Sequence, residues 1–366
     1  MIAPDRLAAD RCPGVLRPHL AADGAVVRVR IPGGQITVAA LVGLSQLSSQ
    51  FADGHISLTS RANLQLRGIE ARDGLVPAAL ADGLYQLGLV PSVSHERVRN
   101  ILASPMSGLL NGSADLRPLV RELDAALIDA ALLADLPGRF LFALDDRGDQ
   151  LASGADLTYL ARSPQQGVIL VGGYEIHVQR DDAVGALIAL AAAFVRSHGA
   201  TWRITELPDA GAQLLSDVGL DAKVATERTA WRSESYVGLL APGVLGTHPP
   251  LGLLRTEHVA AIGAIAGASQ LIVTAGRSLI MRPKTADFAA LTGSGLVIDP
   301  ASPWLSVSAC TGAPGCASGT FSSRDEARRI VAAGVTCRVH VTACARGCGS
   351  PNASFIAVTS AQTDVT

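Results

Sequence analysis

Val26-Val27-Arg28-Val29-Arg30 alternates apolar and basic residues and then stops at Pro32-Gly33-Gly34, the pattern of a strand that runs into a turn. Downstream, Val38, Leu41, Val42, Leu44 and Leu47 recur at helical spacing across Thr37–Phe51, with Thr37 placed to cap the first turn. Asp53-Gly54 marks a turn, His55–Thr59 and Asn63–Arg67 alternate as strands, and Val76–Gly88 reads as a second helix closed by Gly88.

This β-α-β-α order is half of a ferredoxin-like α+β layer, and the same grammar returns in the second half of the chain. Tyr236–Leu240 is a strand before Pro242-Gly243, Glu257–Ala268 a small-residue helix, Gln270–Ala275 and Ser278–Arg282 strands, and Thr285–Thr292 a short helix. Gly295-Leu296-Val297 echoes Gly88-Leu89-Val90, and Thr59-Ser60-Arg61 pairs with Ala275-Gly276-Arg277 in that register. The reading is a duplicated chain. Between the copies, Asp115–Leu133 is helical, and Arg139–Ala143, Gly167–Val171 and Glu175–Val178 are strands. Asp145-Asp146-Arg147-Gly148 is a turn, and Ala183–Val195 is an apolar helix. After the second copy, Ser306–Asn352 is rich in cysteine around one helix (Ser323–Ala333) and one strand (Arg338–Thr342). Four segments are expected, at residues 1–92, 93–232, 233–300 and 301–366.

The 366 residues are 48% apolar and 17% charged, which excludes a disordered chain. Thirty basic residues against 32 acidic ones give a net charge of −2, so nothing points to nucleic acid or an anionic membrane surface. Mean hydropathy is +0.32, yet Ala183–Val195 is shorter than the ~20 residues of a spanning helix. Met1-Ile2-Ala3-Pro4-Asp5-Arg6 lacks the basic and apolar regions of a secretory signal. The expectation is a cytoplasmic protein, with a monomer as the working assumption. The chain holds no phosphate-binding G-x-x-x-x-G-K-[ST] loop and no H-E-x-x-H pair.

Five of the six cysteines crowd the C-terminal segment. Cys310-Thr-Gly-Ala-Pro-Gly-Cys316 and Cys344-Ala-Arg-Gly-Cys348 are two close pairs in Gly-rich bends, a pattern of metal or redox chemistry rather than disulfides. A [4Fe–4S] cube wants four thiolates at tetrahedral corners, ringed by backbone N–H donors. Zinc also takes four cysteines, but its pairs are typically two to four residues apart, and the five-residue gap fits it poorly. Cys12 and Cys337 read as core or surface thiols, and His55, His95 and His340 as structural or surface histidines.

Cys-x5-Cys…Cys-x3-Cys, with the ending Thr342-Ala-Cys-Ala-Arg-Gly-Cys-Gly-Ser-Pro351, resembles the signature of siroheme-dependent sulfite and nitrite reductases. Thr59-Ser-Arg-Ala-Asn-Leu-Gln-Leu-Arg-Gly68, Arg99-Asn100-Ile101-Leu102 and Leu136-Pro-Gly-Arg-Phe-Leu-Phe142 extend the resemblance along the chain. It implies an α+β fold of pseudo-duplicated ferredoxin-like half-domains with nitrite/sulfite reductase-like α/β 4Fe–4S domains. It also implies a cluster on Cys310, Cys316, Cys344 and Cys348. Where those reductases carry two lysines that hold a small oxyanion, this chain has Arg139 and Leu141, and its two lysines, Lys223 and Lys284, lie in no matching motif. Losing a cation there forfeits charge-assisted hydrogen bonds of about 1.5–3 kcal/mol each.

The precorrin-3B synthase branch fits these departures and is similar through Val98–Pro105 and Phe142–Asp146. The resemblance implies an oxygen-dependent monooxygenase of cobalamin biosynthesis, with sulfite or nitrite reduction as the alternative. Its substrate would be precorrin-3A, hydroxylated at C20 with formation of a lactone, and its electrons would come from an external NADH-linked donor. Siroheme and a mononuclear iron are the further groups it leaves open. Arg61, Asn63, Gln65, Arg67, Arg97, Arg99, Asn100, Arg139 and Arg277 are the candidates to bind the carboxylate-fringed tetrapyrrole, because the planar guanidinium fork grips a carboxylate bidentately. The competing reading for alternating arginines is the wet face of a strand. Catalytic residues beyond these are not assigned.

Overall fold

The computed structural model describes residues 10, 12–110, 112–147, 154–225, 236–266, 270–351 and 354–361. Expectations placed on Met1–Arg6, Gly148, Gly267, Ala268 and Asn352 lie outside those residues. Contacts divide the chain into two compact units. One comprises Met1–Pro13, Arg30–Gly34 and Val90–Arg232; the other comprises Gly14–Val29, Gln35–Leu89 and Ser233–Thr366.

The first copy of the repeat runs β1 (His19–Ala21), β2 (Gly24–Val29), β3 (Gln35–Thr37), α1 (Val38–Phe51), β4 (Ile56–Leu58), β5 (Leu64–Ile69) and α2 (Ala78–Gln86). Thr37 caps α1 as its position predicts, its hydroxyl accepting the Ala40 N–H at 3.1 Å. Leu41 and Leu44 on the inner face of α1 are fully buried.

Next along the chain come β6 (Ile101–Ala103), α3 (Arg117–Asp129), β7 (Phe142–Asp145), β8 (Leu157–Ala161), β9 (Gln166–Val171), β10 (Tyr174–Gln179), α4 (Arg180–Ser197), α5 (Ala212–Val218) and β11 (Lys223–Val224). They build a six-stranded sheet, β11-β10-β9-β8-β7-β6, parallel from β6 to β8 and antiparallel beyond. The strand expected at Arg139–Ala143 begins at Phe142 instead. The buried carboxylate of Asp156 accepts the Leu141 N–H at 2.9 Å, and the ladder starts with Phe142 N–H donating to Asn100 O. Phe140 lies 5.1 Å from both Phe142 and Phe194, ring centre to ring centre, in the core of this unit.

The second copy repeats the first: β12 (Gly238–Ala241), β13 (Val244–Thr247), β14 (Leu253–Leu254), α6 (Thr256–Ala266), β15 (Gln270–Val273), β16 (Leu279–Met281) and α7 (Ala289–Ser294). The helix expected over Thr285–Thr292 starts late, because Thr285 Oγ1 and Asp287 Oδ1 take the N–H groups of Asp287 and Ala289 in local turns. The two sheets have matching orders, β1-β2-β5-β4-β14 and β12-β13-β16-β15-β3. Each copy therefore gives its short third strand to the other copy's sheet, an exchange the local pattern does not announce. Even the turn before that strand is duplicated: Gly33 has φ 60, ψ 13 and Leu251 φ 60, ψ 14.

The chain closes with β17 (Val307–Ala309), α8 (Ser323–Ala332), β18 (Val339–Val341) and β19 (Ile356–Val358), a three-stranded parallel sheet ordered β17-β18-β19. Val307, Ile330, Val339, Val341 and Val358 form its small core. No described helix is long and apolar enough to cross a membrane.

Phe140→Ala removes an aromatic side chain with 0% exposure and is expected to cost about 3–5 kcal/mol. A denaturant midpoint unchanged from wild type would contradict this packing.

Candidate functional site

Parallel pairing of β17 with β18 puts the C-terminal ends of both strands on one edge. Cys310 follows β17 directly and Cys344 follows β18 by three residues, so both cysteine bends leave from that edge, where open α/β sheets bind their ligands. Cys310 N–H donates to Val341 O at 2.9 Å, and Thr320 donates to Ala343 O through both its backbone N–H (3.1 Å) and its hydroxyl (3.0 Å). Gly312, at φ 64, carries the first bend so close to α8 that a Cβ there would fall 2.3 Å from Ser323 Oγ.

The four thiols share one electrostatic neighbourhood. Burial raises the Cys348 thiol above its ordinary value, and Cys344, Cys310 and Cys316 each push it further up. Burial alone would raise Cys310 too, but donors around its sulfur win and hold it low. Ser323 Oγ and the Ala343 N–H each lie 3.4 Å from Cys310 Sγ. All six cysteines are free; Cys348 is exposed and the others are part-buried. Among the described residues, no three His, Cys, Asp or Glu side chains converge as ligands of a single metal ion. Four thiols in Gly-rich bends, with N–H and O–H groups aimed at a sulfur, suit the donor chemistry of an iron–sulfur cube.

Arg67 is occupied otherwise than expected. It is buried, holds Asp23 bidentately (Nε–Oδ2 2.7 Å, Nη2–Oδ1 2.8 Å), and donates to Gly315 O at 2.6 Å and Thr311 Oγ1 at 3.3 Å. It straps the first cysteine bend to the β1–β2 turn rather than standing open to a substrate. Arg97 donates to Cys12 O and to Asp10. Arg99, buried, grips Asp124 at 2.7 and 2.6 Å, and Asn100 donates to Gly138 O and Arg97 O. These three are internal braces of their unit. Arg139 is exposed, with its guanidinium 4.9 Å over the Trp202 ring; Leu141 is 2% exposed, a place that excludes a solvated cation.

Asn63 is buried at the start of β5, its N–H bonded to Thr59 Oγ1; Gln65 Oε1 accepts from Arg28; Arg61 sits part-buried in the β4–β5 turn. The matching turn in the second copy corrects the expected register by one residue. Thr274 takes the role of Thr59 and Ser278 that of Asn63, so Arg277 (φ 62) occupies the place of Ala62 (φ 54), and Arg61 matches Gly276. Thus Arg61, Asn63, Gln65, Arg67, Arg277 and the four cysteines belong to one unit, and Arg97, Arg99, Asn100 and Arg139 to the other. Sequence reasoning missed Asp23, Thr311 and His248. The Asp23-Gly24 turn was visible in the sequence, but its carboxylate's partner lies 44 residues away.

Residues 19–74 match the family model described as the Nitrite/Sulfite reductase ferredoxin-like half domain. That stretch is the first copy of the repeat, from β1 to the turn after β5. The chain is similar to a precorrin-3B synthase of Sinorhizobium sp. (28% identity, 96% of this chain and 80% of the relative). It is also similar to a ferredoxin–nitrite reductase of Leptolyngbya laminosa (24%; 90% and 75%). The structure of the Mycobacterium tuberculosis NirA protein shares the fold at TM-score 0.69 and 20% identity, over 89% of this chain and 69% of that one.

Asp23→Asn removes the charge from the Arg67 strap and is expected to lower stability by about 1.5–3 kcal/mol, read as a denaturant midpoint together with faster proteolysis at residues 310–316. Wild-type values in both would show that the strap holds nothing. His248 is buried, and burial first, with Arg277 second, lowers its pKa from 6.5 to about 4. Protons then favour the unfolded chain. Stability is complete above pH 6.5 and falls as pH drops toward 4, by about 3 kcal/mol at most. His248→Asn should flatten that part of the stability–pH curve; an unchanged slope would reject the assignment.

Proposed function

We propose that this chain is an oxidoreductase of the cobalamin pathway that converts precorrin-3A to precorrin-3B with O₂. One oxygen atom would enter the macrocycle at C20, and the other would leave as water. An external NADH-linked donor would supply the two electrons. The observation that carries the reading is the delivery of two cysteine pairs to one sheet edge, in a chain similar over 96% of its length to a precorrin-3B synthase.

Cys310, Cys316, Cys344 and Cys348 would hold a [4Fe–4S] cluster, which supplies one-electron transfer when bound. The chain's own residues arrange the surroundings. Ser323 Oγ and the Ala343 N–H stabilise sulfur charge at Cys310, and the Arg67–Asp23 pair fixes the first bend. Arg61 and Arg277, with Asn63 and Gln65 as orienting neighbours, are the proposed contacts to the substrate's carboxylates. Siroheme or a separate iron would complete the oxygen chemistry. Leu141 in the core speaks against a small dianion as substrate. The similarity to a nitrite reductase supports sulfite or nitrite reduction as the second reading. We further propose a cytoplasmic monomer.

Anaerobically purified protein incubated with precorrin-3A and then given O₂ and a reductant should yield a product heavier by one oxygen atom. Alanine at any of the four paired cysteines should abolish both this product and the bound iron and sulfide. No mass gain, together with reduction of sulfite or nitrite and a chlorin-like absorption band, would overturn the reading in favour of the second.

A further inference from the structure

The parallel run β6-β7-β8 has the same build as the parallel run β17-β18-β19. Their registers correspond, Ala103 facing Leu144 as Ala309 faces Val341. Past the strand ends the hydrogen bonds repeat as well. Ser104 N–H donates to Leu144 O at 3.0 Å, as Cys310 N–H does to Val341 O at 2.9 Å. Asp146 N–H then donates to Ser104 Oγ at 3.2 Å, as Ala343 N–H does to Cys310 Sγ at 3.4 Å. Ser104 therefore stands where the other edge has its first cysteine, and Asp145 and Asp146 where it has Thr342 and Ala343. One edge carries sulfur and its counterpart carries oxygen.

These oxygens are buried: Asp145 is 0%, Asp146 1% and Ser104 4% exposed. Asp145 Oδ1 accepts the Ser104 hydroxyl at 3.0 Å and the Arg147 N–H at 2.9 Å. Asp146 Oδ1 and Oδ2 have no hydrogen-bond donor among the described residues. Ser104 and Ser107 lie beside that carboxyl, but the Ser104 proton goes to Asp145 and the Ser107 proton to Ala114 O at 3.1 Å. The chain passes the carboxylate at Gly112, where a Cβ would fall 2.0 Å from Asp146 Oδ2, so the missing side chain keeps that oxygen clear. Burial raises the Asp146 pKa against the pull of Ser104, Ser107 and Arg147, and the charge of Asp145 adds to the rise. Gly112 and Arg147 are exposed, so solvent ions reach this edge.

Buried carboxylates without donors demand a counter-charge. A proton neutralises one of two neighbours, whereas a divalent cation neutralises both. Carboxylate and hydroxyl oxygens select hard cations over zinc or copper. Mg²⁺ and its like are held by one or two carboxylates and keep water in their other positions. Such a site needs no third His, Cys, Asp or Glu, and none converges on one among the described residues.

We propose that the carboxylates of Asp145 and Asp146 hold one hard divalent cation of the Mg²⁺ kind at the end of β7, with water completing its coordination. The site lies within the unit that contains Val90–Arg232, and the cysteine bends lie in the other. It does not depend on the tetrapyrrole reading.

Mn²⁺ is the probe, because the paramagnetic resonance signal of the free ion disappears on binding. The whole protein, purified anaerobically and passed over chelating resin, should take up one Mn²⁺ per chain and release it to excess Mg²⁺. Asp146→Asn keeps the shape of the side chain without its charge and should weaken Mn²⁺ at least tenfold, with near-ultraviolet circular dichroism unchanged. Wild type grown with aspartate labelled at its carboxyl carbon should show that carbon coupled to the bound Mn²⁺, a readout that needs no variant. No saturable uptake up to millimolar Mn²⁺, or equal affinity in Asp146→Asn, would overturn the site. An infrared band of a protonated carboxylic acid, present in wild type, absent from Asp146→Asn and indifferent to Mn²⁺, would show that a proton balances the pair instead. Bleaching of the cluster absorbance in step with Mn²⁺ uptake would assign the ion to the cysteines and sink the proposal.

Discussion

The parallel pairing of Val307–Ala309 with Val339–Val341 is the constraint on which the candidate site depends. Two cysteine pairs separated by a helix and a strand meet only if their preceding strands run the same way and end on the same edge. An antiparallel pair would send the bends to opposite ends of the sheet. The strands are short, three residues each, so their pairing is reinforced from outside. Ile330 of α8 fills the core beneath them, and Thr320 ties the first bend to Ala343. The Arg67–Asp23 strap then holds the bend to the neighbouring half-domain of the same unit.

Duplication gives that unit its second constraint. The two copies share element order, sheet order and the backbone conformation of the turn before the exchanged strand. Repetition of form does not repeat chemistry. At equivalent turn positions one copy places Ala62 and the other Arg277, and the buried end of β2 holds Arg30 where the strand β13 leads into His248. The copies have diverged in side chain at these two places while keeping the backbone.

Much of this was legible from local sequence. Period and punctuation located α1, β5, α4 and α8, since amphipathic spacing and capping residues act within a few positions. The spacing of the four cysteines carried the expectation of a cluster for the same local reason. The roles of the arginines were not legible. Arg67, Arg97 and Arg99 look alike in sequence, all basic residues near extended segments. Whether an arginine braces the fold or faces a ligand depends on which carboxylate lies near it in space, and Asp23 and Asp124 are 44 and 25 residues distant from their partners. The start of β7 was equally hidden, because it is set by a buried carboxylate fifteen residues downstream.

The sequence by itself determined the repeated α+β grammar and the two cysteine bends, because propensity, periodicity and spacing are properties of neighbouring residues. Only the tertiary structure decided that the copies trade a strand, that Arg67 is spent on Asp23 and Gly315, and that Arg277 reaches the second cysteine bend at Gly349. Those outcomes follow from long-range packing and charge pairing. A one-residue shift at the Thr274 turn, invisible to pattern matching, is enough to change which side chain reaches Gly349.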